Sequence, residues 1–191
     1  MGRWEPGARE RLVLAAVDLF TEQGYDATTV AQIAARAGVT KSTFFRHFPD
    51  KRELLAAGQE SMCQLLSEGI AEAPDGASPM VAVAAALERA STMMGPDNRE
   101  LGPRIKAAVA ASTELQERDA LKTVSLAAAM TTALLARGVP EMTAHLAGEL
   151  GVLAFKQGYA RWSESDQNGR GLAEYALAAL DELRTASRSL D

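Results

Sequence analysis

Residues 28–52 read TTVAQIAARAGVTKSTFFRHFPDKR, and this stretch decides the fold. Thr29 precedes Val30-Ala31-Gln32; a threonine N-cap with glutamine three residues later is a capping box, so a helix starts at Val30. Ile33 and Ala34 sit at inward spacing on it. Gly38 stops that helix and supplies the positive φ of a tight turn. Thr40 caps a short second helix running through Phe45. Val39 and Phe44 pack the turn and the second helix back onto Val30, Ile33 and Ala34. Helix, tight turn and short helix form a helix-turn-helix whose second helix keeps an outer face of Lys41, Ser42, Thr43, Phe45, Arg46 and His47. Cationic, hydrogen-bonding and flat apolar groups are what a reader of the DNA major groove presents. The amides at the start of that helix, near Thr40, suit a phosphate oxygen. Lys51 in the first turn after Asp50, and Thr29 at the head of its helix, are placed to hold one too.

Charge supports the same reading. The 191-residue chain has a formal net charge of −5, which is wrong for a protein that is sticky towards nucleic acid throughout. Residues 28–52 nevertheless hold Arg36, Lys41, Arg46, Lys51 and Arg52 against the single acid Asp50. A basic patch on an acidic chain is the footprint of one anion-binding surface. Arg36 and Arg52 are expected to be solvated or paired rather than to read bases.

Outward from this stretch every strong period is helical. Leu12, Ala15, Ala16, Leu19 and Phe20 form one face of a first helix, ended by Gly24. Asp50 and Glu53 open a fourth helix expected to run to about residue 73, before Pro74-Asp75-Gly76. Further helices are expected over 79–94, 104–111, 115–137, 140–163 and 172–190, with 95–103 an irregular link around Gly102-Pro103. The expected fold is therefore all-α: a three-helix helix-turn-helix head plus a C-terminal helical bundle, about nine helices in all. The expected division is a DNA-binding head at 1–56 and a ligand-binding and dimerising body at 57–191.

The segment from Phe20 to Leu54 resembles the DNA-binding head of the TetR family. The resemblance rests on Gly24-Tyr25, Thr28-Thr29-Val30, Ile33-Ala34, Ala37-Gly38-Val39, Thr43-Phe44-Phe45, His47-Phe48 and Lys51. It implies recognition-helix roles for Lys41, Ser42 and Thr43, and phosphate or groove contacts for Thr29, Thr40, Phe45, His47 and Lys51. Where the family often carries tyrosine, this chain has Phe45, which cannot donate to a phosphate. The stretch 101–162 is also similar to the body of an actinobacterial TetR subgroup that includes the mycofactocin-associated regulators. That likeness implies an acyl-CoA-like or other apolar effector.

The body is apolar and rich in methionine, a side chain that fills irregular space and adapts to ligands. Met93, Met130, Leu134, Phe155 and Tyr159 are the candidate pocket lining; the same residues would serve equally as core. Small residues recur on the last two helices: Ala147, Gly148, Gly151, Ala154 and Gly158, then Ala173, Ala176, Ala178 and Ala179. They allow close helix approach, either across a homodimer interface built from those two helices or within one protomer.

Several classes find no support. There is no Gly-rich phosphate loop, nucleophile elbow or catalytic carboxylate pair, so no enzyme is expected. One cysteine and two histidines assemble no metal cluster, and no cofactor is expected. Residues 1–7 lack the apolar core of a signal peptide, and no stretch was expected to be apolar and charge-free for long enough to span a bilayer. The expectation is a cytoplasmic, ligand-responsive, homodimeric repressor on double-stranded operator DNA, released by a small apolar effector. A helical binding or scaffolding protein whose helix-turn-helix does not grip DNA is the rival.

Overall fold

The computed structural model describes residues 7–165 and 169–189. Its regular elements are α1 (Ala8–Gln23), α2 (Val30–Arg36), α3 (Lys41–His47), a 3₁₀ turn (Arg52–Ala56), α4 (Gln59–Ala71), α5 (Pro79–Ser91), α6 (Pro96–Ala110), α7 (Thr113–Ala136), α8 (Glu141–Glu164) and α9 (Leu172–Arg188). The fold is all-α, as the periodicity predicts, with a helix-turn-helix head and a C-terminal bundle.

Three local expectations are corrected. The expected fourth helix does not run unbroken from Asp50. The Asp50 carboxylate accepts from the amides of Arg52 (3.0 Å) and Glu53 (3.2 Å), but only a 3₁₀ turn follows. Gly58 then takes φ +80°, a left-handed conformation that no α-helix continues through, and α4 starts afresh at Gln59. Conversely, Gly102-Pro103 does not break the chain: α6 is helical across it, with Pro103 inside. Gly102 marks a close approach instead, since a Cβ there would stand 3.0 Å from both the Tyr159 ring and Ser163 Cβ. Finally, α7 is long and apolar enough to cross a membrane by length and composition. Its charged residues lie in its first half, from Glu114 to Lys122, which leaves 123–136 without a charge.

The chain divides into two compact units. The first holds the described residues up to Ala57 together with Arg104–Leu121. Its core is Leu12, Ala16, Phe20, Tyr25, Ile33, Phe44, Phe48 and Leu54, joined by Ala108 of α6 and Leu115 of α7. Polar links tie residues 104–121 into this unit. Tyr25 Oη donates to Glu114 at 2.7 Å, Arg104 pairs with Asp18, and Arg118 grips Glu53 through two bonds of 2.9 Å.

The second unit holds Gly58–Pro103 and Lys122 onward. Leu66, Ile70, Val83, Leu87, Met130, Leu134, Val152 and Ala176 are buried in one cluster. Arg137 closes the C-terminal end of α4, donating to the carbonyls of Ile70, Ala71, Ala73 and Pro74 at 2.7–3.1 Å. A guanidinium with five donors in a fixed fork can serve the last carbonyls of α4 and those of the turn that follows it. The small residues of α8 are turned into their own protomer. A Cβ on Gly148 would meet Thr131 Oγ1 at 2.6 Å, one on Gly151 would meet Met130 Sδ at 2.6 Å, and one on Gly158 would meet Ala176 Cα at 2.5 Å. Ala147, Ala154, Ala176 and Ala179 are buried with them. These residues serve internal packing, so Gly151 and Ala154 do not face a partner, whereas Ala173 is half-buried and Ala178 exposed.

Candidate nucleic-acid interface

The helix-turn-helix is built as its sequence requires. Thr29 Oγ1 accepts from the Gln32 amide at 3.2 Å while Gln32 Oε1 accepts from the Thr29 amide at 2.8 Å, a complete capping box. Gly38 takes φ +67° in the turn. Thr40 Oγ1 accepts from the Thr43 amide at 3.1 Å and caps α3. Phe44 is fully buried and packs against the rings of Phe45 and Phe48, so α3 is anchored through one side only.

The opposite side of α3 is open. Lys41, Ser42, Phe45, Arg46 and His47 are exposed, Phe45 at 55%, and Thr43 is half-buried. Arg46 Nη2 donates to Thr43 Oγ1 at 3.2 Å, which steers its guanidinium along the helix surface. Thr29 and Thr40 are exposed at the starts of α2 and α3. Seven of the eight candidate contact residues therefore lie on α3 or at these two helix starts.

Lys51, the eighth, is differently placed. Its Nζ donates to the carbonyls of Tyr25 (2.7 Å) and Thr28 (3.1 Å) and lies 3.9 Å from the centre of the Tyr25 ring. It braces the turn between α1 and α2. An ammonium has three donors, and these two carbonyls take two of them. The Tyr25 hydroxyl is held well above its ordinary value, chiefly by burial and then by its bond to Glu114.

Two of the five basic groups in this stretch are already paired. Arg36 makes a two-bond fork to Glu22 at 2.8 and 2.9 Å, and Arg52 pairs with Asp50 at 3.1 Å. Glu22 lies outside the charged stretch, on α1, so no local charge count could find it. The cationic surface is thereby narrowed to Lys41, Arg46 and the braced Lys51. Arg9 is an addition that sequence reasoning missed: its guanidinium lies 5.3 Å from the centre of the Phe48 ring.

The family model described as bacterial regulatory proteins, tetR family, matches residues 12–57. This chain is thus similar in sequence to the TetR family in its head. Among curated relatives it is 36% identical over 79 residues to the transcriptional regulator TcmR of Streptomyces glaucescens, covering 41% of this chain and 35% of TcmR. It is 37% identical over 65 residues to the transcriptional activator FasR of Mycolicibacterium smegmatis, covering 34% of this chain and 30% of FasR. The chain thus matches about a third of the length of these relatives. A solved TetR-family regulator from Syntrophomonas wolfei shares the fold over 94% of both chains, with TM-score 0.63 and 18% identity. So does NalD of Pseudomonas aeruginosa, described as the secondary repressor of a multidrug efflux pump, with TM-score 0.55, 24% identity and 92% and 96% coverage. The TetR likeness is therefore one of sequence in the head and one of fold along the whole chain.

In the body, Met130 and Leu134 are fully buried, and Met93 and Phe155 pack against the same core. Tyr159 stacks on Phe155, contacts Trp162 and donates to the Asn98 carbonyl at 2.6 Å. Burial pushes its hydroxyl up to about 12. A cavity of about 410 Å³ lies elsewhere, lined by Gly69, Glu72, Ala73, Pro74, Ala85, Glu88, Arg89 and Thr92; none of the five candidate lining residues borders it.

Proposed function

We propose that this chain is a DNA-binding transcriptional regulator that works as a homodimeric, ligand-released repressor in the cytoplasm. The observation that carries the reading is α3: Phe44 anchors it while Lys41, Ser42, Phe45, Arg46 and His47 stand exposed behind a Thr40 cap. In this reading Lys41, Ser42 and Thr43 meet base edges in the major groove of double-stranded operator DNA. Thr29, Thr40, His47 and Lys51 meet phosphates, and Phe45 meets a sugar or a thymine methyl. One head offers few contacts, so two linked heads on successive half-sites are needed for operator-grade affinity. In this reading the last two helices, α8 and α9, supply the dimer interface.

The effector is a small apolar compound, acyl-CoA-like in the first instance, taken up among Met93, Met130, Leu134, Phe155 and Tyr159. Its support is the soft, methionine-bearing body core and the likeness of residues 101–162 to an acyl-CoA-sensing subgroup. Binding there shifts the population of head arrangements and lowers operator affinity. Linkage makes the effect reciprocal: a hundredfold loss of DNA affinity requires about a hundredfold preference of effector for the DNA-free protein, roughly 2.7 kcal/mol. The test is anisotropy titration of promoter DNA with and without long-chain acyl-CoA. Release of bound DNA supports the reading. Compounds that bind the body yet leave operator affinity unchanged at saturation would sink the switch, and a protein with no salt-sensitive DNA affinity would return the reading to the helical scaffold.

A further inference from the structure

We infer that Arg9, at the start of α1, is a further contact of this chain with DNA: its guanidinium holds a backbone phosphate beside the C-terminal end of α3. The inference rests on the DNA binding in the proposed function. It adds to that reading a residue outside the stretch 12–57 that the family model matches. Arg9 is exposed, and its guanidinium carbon lies over the Phe48 ring, 5.3 Å from the centroid. A cation within about 6 Å of a ring centre is attracted to the ring face. Phe48 is the residue on which α3 ends, directly after the exposed His47. Its ring is a fixed platform: Phe48 is 2% exposed and lies 5.9 Å, ring to ring, from Phe44, which anchors α3. Arg9 and α3 therefore share one support.

Among the described residues Arg9 makes no hydrogen bond and no ion pair. Other arginines of the same unit are committed. Arg36 is forked to Glu22, Arg52 is paired with Asp50, Arg104 with Asp18 and Arg118 with Glu53, while Arg11 donates to the Ala37 carbonyl at 3.1 Å. Two acids close to Arg9 or Phe48 in sequence could compete for the guanidinium, and both are engaged. Asp50 accepts from the Arg52 side chain and from the amides of Arg52 and Glu53. Glu10 is folded back over Gly7, where an added Cβ would meet its Oε2 at 2.5 Å, and this sets the carboxylate against the positive end of α1. A cation over a ring is held without giving an N–H to an acceptor. The five donors of Arg9 thus remain for an acceptor outside the chain, and the two free oxygens of a phosphodiester match a guanidinium fork.

The place selects a phosphate of a DNA strand. Lys41, Ser42 and Thr43 stand at the start of α3, where the proposed function puts the base edges. A group beyond the last residue of that helix points past the bases, to the strand that walls the groove. Arg46 and His47, on the last turn, bring two more exposed groups of matching chemistry to the same end. Three such groups suit the repeated charges of a strand better than one free anion. A contact of this kind fixes how α3 sits on the duplex and carries no sequence information itself.

Anisotropy titration of the full chain tests this on the DNA upstream of its own gene and on scrambled DNA, between about 50 and 200 mM salt, with circular dichroism to verify folding. Arg9→Ala should weaken binding to both DNAs alike, about tenfold at the lower salt, and flatten the salt slope by roughly one unit. Arg9→Lys keeps the charge and loses the fork, so it should keep the native slope and recover part of the affinity. An unchanged slope in Arg9→Ala overturns the inference and leaves DNA binding by α3 standing; a lowered melting temperature would then make Arg9 a brace of Phe48. A loss confined to the upstream DNA would make Arg9 a reader of bases and overturn the phosphate contact. Inorganic phosphate that raises the melting temperature of the native chain but not of Arg9→Ala, with equal DNA slopes for the two, would assign the site to a free anion and overturn the DNA contact. A native chain with no salt-sensitive affinity for either DNA overturns the inference together with the proposed function.

Discussion

Lys51 donates to the carbonyl of Tyr25 across 2.7 Å while its ammonium lies 3.9 Å from the centre of the same residue's ring. One side chain thus grips both the backbone and the π-face of the residue that follows Gly24. Lys51→Met should destabilise the head by about 1.5–3 kcal/mol, the range for a hydrogen bond to a charged group, and lower the melting temperature accordingly. It should also flatten the salt dependence of DNA affinity by roughly one unit, through the third ammonium donor. A normal salt slope with a lowered melting temperature would make Lys51 a brace only.

The forked Arg36–Glu22 pair sets a second expectation. A guanidinium already matched to a carboxylate adds little to counterion release, so Arg36→Ala should leave the salt slope of operator binding nearly unchanged. Lys41→Ala and Arg46→Ala should each flatten it by up to about one unit. Equal loss from all three would mean that Glu22 yields Arg36 when DNA arrives.

Much of this was legible in the sequence, for a physical reason. Caps and turns are local: Thr29 with Gln32, Gly38, and Thr40 with Thr43 all act within a few residues, and the helix-turn-helix follows from them. The partner of Arg36 lies fourteen residues away, and that of Tyr25 eighty-nine, so neither ion pair nor hydrogen bond leaves a local trace. The inclusion of residues 104–121 in the head unit was hidden for the same reason. Glycine was misleading in both directions. Gly58 interrupts an expected helix, whereas Gly102 sits inside one because Tyr159 and Ser163 press against it. The small residues of α8 allowed two readings, and only the positions of Met130, Thr131 and Ala176 choose between them.

Two tyrosines predict the alkaline behaviour. Tyr25 is held above its ordinary value by burial and by Glu114, and Tyr159 is pushed up to about 12 by burial. Both raised values favour the neutral form in the folded chain. Their stability contribution is complete below the unfolded tyrosine pKa of about 10 and is lost as pH rises through the folded values. Chemical denaturation should therefore show stability falling from about pH 10 upward, and Tyr25→Phe should reduce that fall. An unchanged alkaline profile in Tyr25→Phe would remove Tyr25 from the account.

Gly158 meets the backbone of Ala176, with a substituted Cβ placed 2.5 Å from Cα. Backbone cannot swing aside as a flexible side chain can, so Gly158→Ala should cost about 1–3 kcal/mol by overpacking. Denaturant titration checks this, and a neutral result would mean that α8 and α9 are less closely packed than described.

The central claim is that the exposed side of α3 reads DNA. Its most direct test is anisotropy titration of the native chain and of Lys41→Ala and Thr43→Ala against the DNA upstream of its own gene and against scrambled DNA. The account predicts that the native chain prefers the upstream DNA and that its affinity falls steeply with salt. Each substitution should erase about 1–3 kcal/mol of that preference while leaving most of the affinity for scrambled DNA. Equal, salt-insensitive binding to both DNAs by all three proteins would contradict it.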